Sequence, residues 1–204
     1  MFATFLILSL QEPLGSGLPS SASLSPLSPS EILKMADGWD SGDDAAWRQH
    51  ALDSLGADSK TDLFLGRILA RAGSTAGGGV LSALLHGKAP LLRNAALATL
   101  GLETFVLNDE AQASVTNVLD SQSMDYDPEF LAHAASTLHG IGDGSHRRAA
   151  LRRLRSMAAS EKRTAREAGA LALAQTGVTV SAEITKILEE VASDPGLRGL
   201  LASS

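Results

Sequence analysis

One short pattern of residues recurs along this chain and limits what it can fold into. Arg48-x-x-Ala51-Leu52-x-x-Leu55-Gly56 returns in register as Arg93-x-x-Ala96-Leu97-x-x-Leu100-Gly101. Looser copies follow as Leu131-x-x-Ala134-Ala135-x-x-Leu138-x-Gly140 and Arg166-x-Ala168-x-Ala170-x-Ala172-Leu173. Ala and Leu spaced by three and four residues follow the period of an α-helix, and a closing glycine is a helix stop. Copies at intervals of roughly 35–45 residues match one helical hairpin in a stacked array. In segment 89–101, Leu91, Leu92, Ala95, Ala96, Leu97, Ala98 and Leu100 point nearly all round the axis. That predicts a helix covered on most sides, sandwiched between its partner and the next repeat.

Composition agrees with helices. Of the 204 residues, 44% are hydrophobic but only 4% aromatic, so the core must be built from Leu and Ala. No segment alternates with period two, so no sheet is expected. Helix starts are read at Ser30-Glu31, Asp43-Asp44, Asp58-Ser59, Pro90, Asp109-Glu110 and Asp127-Pro128, and stops at Gly38, Gly56, Gly73 and Gly101. Further helices are read in SHRRAALRRLRSMAAS, EKRTAREAGALALAQTG and SAEITKILEEVAS, the last broken by Pro195-Gly196. The chain then ends in LRGLLASS, with no polar capping helix, which suggests one module of a larger array.

The first 30 residues read differently. MFATFLILSL is apolar but too short to span a bilayer. Residues 11–30 are rich in Ser, Pro, Gly and Leu and read as a flexible linker open to proteolysis. An export signal and a cytoplasmic leader both fit, since no Lys or Arg precedes the apolar run and no small-x-small cleavage site follows. The division expected is a leader over 1–30 and a repeat domain over 31–204.

The clearest likeness to a known family lies in residues 138–173. Leu138-His-Gly-Ile-Gly-Asp143 is followed by spaced Ala149, Leu151 and Leu154, then by TAREAGALAL at 164–173. This resembles the bacterial HEAT-like (armadillo-type) repeat. The likeness covers about 90–180 well and 43–73 less well. It departs from the family at a long loop, 120–129, and at Gly77-Gly78-Gly79, which weaken one helix. The resemblance implies an all-α fold, an α-solenoid of stacked hairpins. It also implies a non-enzymatic interaction scaffold, since such arrays mostly bind protein partners. A minority are lyases or DNA-lesion glycosylases, and fold analogy alone does not choose.

Charge is unevenly placed. Segment 144–166 holds Arg147, Arg148, Arg152, Arg153, Arg155, Lys162, Arg163 and Arg166 against the single acid Glu161. On a helix, Arg148, Arg152 and Arg155 share one stripe, with Ala150, Leu151, Leu154 and Met157 on the buried side. Arg148, Arg152, Arg155 and Arg163 are therefore the candidate partner-binding residues, for an acidic protein, a phosphate or nucleic acid. The net charge of −6 and the scarcity of aromatic residues argue against nucleic acid. The bland reading is a solvated face neutralised by Glu103, Asp109, Glu110, Asp120, Asp125, Asp127 and Glu129 in the preceding repeat.

Other chemistry is weakly signalled. There is no cysteine, which excludes disulfides, thiolate metal sites and a cysteine nucleophile. His133, His139 and His146 lie near Asp143, but not at the spacing of a helical zinc motif, so no metal is expected. The glycine runs at 73–79 and 140–144 follow no strand and carry no Gly-Lys-Ser/Thr, so no nucleotide or other cofactor is expected. Gly140 and Gly142 suit a helix end and Asp143 a helix cap. No serine sits in a nucleophile elbow. Trp39 and Trp47 suit packing of the N-terminal hairpin, with a partner anchor as the alternative.

Overall fold

The structure, a computed structural model, describes residues 17–40, 46–121 and 126–193. Among these residues every regular element is helical. In order they are α1 (Ser21–Leu24), α2 (Pro29–Gly38), α3 (Ala46–Asp53), α4 (Ser59–Arg71), α5 (Gly78–Leu85) and α6 (Pro90–Leu100). A 3-10 turn (Glu103–Phe105) precedes α7 (Asp109–Asp120), α8 (Pro128–Ile141), α9 (Gly144–Ala158), α10 (Arg163–Gln175) and α11 (Ala182–Ser193). The fold is all-α, as composition and period required.

The starts are set by side chains that accept from otherwise unpaired first-turn amides. Asp58, Asp127 and Asp143 do this for α4, α8 and α9. Asn108, one residue before the acids expected to start α7, is its cap. Ser28 and Glu31 form a reciprocal capping box on α2, with Pro29 in the first turn. Gly56 and Gly73, at φ +85° and +71°, turn the chain after α3 and α4, a conformation that disfavours other residues.

Packing follows chain order. α2 contacts α4, α4 contacts α6, α6 contacts α8, and α8 contacts α10. The intervening helices fill between them, with α5 against both α6 and α7, and α9 against both α8 and α10. Leu63, Phe64, Leu81, Leu97, Phe105 and Phe130 anchor one apolar cluster running from α1 into α9. A second cluster, mostly alanine, joins α8, α9 and α10, and the partly buried Leu119 and Leu131 touch both. The glycine run expected to weaken a helix is a close approach. A Cβ on Gly77 would lie 2.9 Å from Gly66 Cα, and one on Gly66 would lie 2.8 Å from Leu81.

Two expectations are corrected. Residues 17–30 are not a flexible linker. They form α1 and the start of α2, with Leu24 fully buried and Leu18 and Leu27 packed on the core. The serines cap α1 and α2 through Ser20 and Ser28, and apolar Leu at 18, 24 and 27 drives the segment onto α4. Ser21 donates to Asp58, and Lys60 to the Ser25 carbonyl, fixing α1 across the start of α4. Nor is α6 covered on its apolar residues alone. Leu91 is 69% exposed, while Arg93 is only 7% exposed. The Arg93 guanidinium lies over Tyr126 (5.0 Å) and Phe130 (5.3 Å), so aromatic faces replace an acid as its partners. Residues 1–16, which carry the apolar leader, Asp43-Asp44, and the Pro195-Gly196 break lie outside the described residues.

Two stability outcomes follow. Leu24→Ala should cost about 2–5 kcal/mol in urea unfolding, as for a fully buried leucine. A linker residue would cost nothing. Burial raises the Asp58 pKa, but hydrogen bonds from Ser21, Thr61 and Lys60 outweigh it and bring it down to about 2. Its contribution is therefore present above the unfolded value of about 3.9 and is lost as pH falls toward the folded value. Asp58→Asn, which lacks that ionised contribution at every pH, should lower the neutral-pH melting temperature and flatten the acid-side fall in stability, read by thermal melts from neutral to acid pH.

Candidate functional site

α9 carries the charge asymmetry. Ala150, Leu154, Met157 and Ala158 are buried, and Leu151 is half-buried against the alanine-rich cluster. Advancing about 100° per residue puts Arg148, Arg152 and Arg155 on the opposite face. All three are exposed, as are Arg147 and Arg153 at its flanks. Among the described residues none of these five arginines forms an ion pair. Neutralisation by the described acids of 101–130 is thus not realised as direct contact; Asp125 lies outside the described residues.

Arg163 is placed elsewhere. It opens α10, on a different helix from the stripe, and its Nε donates to Glu167 at 2.6 Å. Arg166 donates to the carbonyls of Ser160 (3.2 Å) and Glu161 (3.4 Å), holding the loop before α10.

Two cavities flank the stripe. One, of about 360 Å³, lies between α7 and α9. Thr116, Leu119 and Asp120 line it from α7, Leu138 from α8, and Ala149, Arg152, Arg153 and Ser156 from α9. The other, of about 340 Å³, lies between α9 and α11, where Arg155 meets Val178, Val180, Ile184 and Ile187. A third, of about 300 Å³, lies between α8 and α10 and is lined by Glu129, His133, Leu171 and Gln175. The packed surroundings desolvate the His133 imidazole and push its pKa down, although the residue keeps an exposed edge.

Asp143 anchors the start of α9. It accepts from the amides of Ser145 (2.8 Å) and His146 (2.9 Å) and from the Ser145 hydroxyl (2.7 Å). These bonds, led by the His146 amide, hold its carboxyl well below the usual carboxylate range. His146 Nδ1 lies 2.9 Å from the same carboxylate, so one of the three histidines serves this cap. Among the described residues no group of three or more His, Asp or Glu is placed to hold a metal ion. Trp39 and Trp47 meet edge-on at 4.9 Å, with Trp39 also against Phe64 at 6.5 Å. No described helix is long and apolar enough to cross a membrane.

Sequence reasoning missed Arg153, Ser156 and Thr116 as a set. The two α9 residues are three apart, which was readable, but their meeting with α7 is tertiary. No family model, curated protein or solved structure matches this chain.

The orientation of α9 depends on Gly169 of α10. A Cβ there would sit 2.6 Å from the Ala158 backbone nitrogen and 2.7 Å from Met157 Cβ. Gly169→Ala gains up to about 1 kcal/mol of helix propensity. The backbone clash outweighs it, so a net loss of about 1–3 kcal/mol is expected. Gly140→Ala, where a Cβ meets nothing within 4 Å, should instead stabilise α8. Urea midpoints of the two variants should therefore move in opposite directions.

Proposed function

We propose that this protein is a non-enzymatic interaction scaffold, an α-solenoid of HEAT-like type, that docks an acidic protein partner on the arginine face of α9. The observation that carries the reading is the stripe Arg148, Arg152 and Arg155, exposed and without ion pairs among the described residues. The succession of contacts α4–α6–α8–α10, with hairpin partners between, supports the repeat architecture. The residues 138–173 that carry the family likeness run from the last turn of α8 through α9 and most of α10. An unpaired, solvated cationic face accelerates encounter with an anionic partner and fixes its orientation. Nucleic acid is the weaker alternative. No aromatic side chain lines either cavity beside the stripe, so bases would find no stacking platform.

The test is affinity capture with the full chain and with Arg148, Arg152 and Arg155 changed together to Glu. A partner that survives nuclease treatment and is lost on charge reversal supports the reading, provided the variant melts like wild type. Retention of every captured protein by the variant refutes it. Capture abolished by nuclease instead selects the nucleic-acid alternative.

A further inference from the structure

The α7–α9 cavity has a chemistry that the stripe alone does not express. Arg152 and Arg153 line it together with the hydroxyl-bearing Thr116 and Ser156. Among the described residues the Thr116 Oγ1 is buried and has no hydrogen-bond partner, a free-energy cost that a turn of the side chain toward a ligand oxygen in the cavity would remove. Leu119, Leu138 and Ala149 give the same cavity an apolar wall.

We infer that this cavity receives a phosphate monoester, the phosphoserine or phosphothreonine side chain of a partner protein. The inference rests on the proposal that α9 docks an acidic protein, and it names the group recognised. A phosphomonoester carries a charge of about −1.5 to −2 at neutral pH and offers three acceptor oxygens. Two guanidinium groups match that charge, and their N–H groups suit phosphate oxygens in paired bonds. The hydroxyls complete the donor set, while the apolar wall takes the ester carbon and, for phosphothreonine, its methyl.

Asp120 weakens the site without reversing its sign. It lines the cavity and forms no ion pair with either arginine. Its charge repels a dianion twice as strongly as a monoanion, but the two arginines outweigh it, so the dianion is still held more strongly than a singly charged Asp or Glu side chain.

The experiment titrates the full-length chain with one peptide in three forms, carrying serine, glutamate or phosphoserine at the same position, and separately with inorganic phosphate. The phosphoserine form should bind about tenfold or more tighter than the other two, the scale of one charged hydrogen-bond pair. Arg152→Gln and Arg153→Gln should each weaken it about tenfold. Asp120→Asn should tighten it about threefold, a gain that misfolding cannot produce. Equal binding of the three peptides, or weaker binding by Asp120→Asn, overturns the assignment. Inorganic phosphate binding as tightly as the phosphopeptide would also overturn it, by placing the ligand free in solution. Neither Arg148 nor Arg155 lines this cavity. Partner loss on reversing those two, with no phosphate preference, would leave the docking face standing and remove the pocket.

Discussion

The contact on which the described architecture turns is that of Gly169 with the last turn of α9. No side chain fits between α10 and the backbone at Met157 and Ala158. The two helices therefore meet at backbone distance, and the second apolar cluster is mostly alanine because only small residues fit such a gap. The same device recurs where Gly77 meets Gly66. A chain with few aromatics cannot fill wide interhelical spaces, so it narrows them instead. That fixes the rotation of α9, and with it which residues face out.

Where the chain does place aromatics, it uses them at junctions. Phe64 receives the edge of Trp39, and Tyr126 and Phe130 stack near each other at 5.1 Å beneath Arg93. Tyr126 also bonds His86 Nδ1 (3.1 Å) and the Leu85 carbonyl (3.3 Å), tying the end of α5 to the start of α8. Arg93 is thus a cation buried on π faces, at the junction of α6 with α8. Its counterpart in the repeated pattern, Arg48, lies over Trp47 at 5.6 Å and donates to the Ala72 carbonyl. The recurring arginine joins neighbouring elements at both places, buried at Arg93 and exposed at Arg48.

This explains what was legible in the sequence. Helix positions were readable because capping aspartates, first-turn prolines and closing glycines act within one turn of chain. The buried side of α9 was readable for the same reason, since Ala150, Leu154 and Met157 follow one helical period. The folded state of residues 17–30 was not readable. Serine and proline mark loops and helix starts alike, and only the burial of Leu24 against α4 decides between them. The burial of Arg93 was not readable either, because it depends on rings that only tertiary packing brings to it. Half of the α7–α9 cavity was hidden too, as Thr116 and Arg152 lie on helices that only tertiary packing brings together.

The arginine face runs against local stability. Like charges at Arg148 and Arg152, four apart, and at Arg152 and Arg155, three apart, each cost about 0.2–0.5 kcal/mol on a helix. Arg147 and Arg148 also sit near the positive end of the α9 dipole, where anions are favoured. Asp143 answers part of that cost through the first-turn amides, yet no described acid pairs with the arginines. Asp120 is close enough to share a cavity with two of them and still forms no ion pair with either. Stability alone would mix signs on this face. On the proposed reading, a uniform cationic stripe with a cavity at its edge suits an anionic partner, and local rules broken without structural compensation are expected at functional or strained sites.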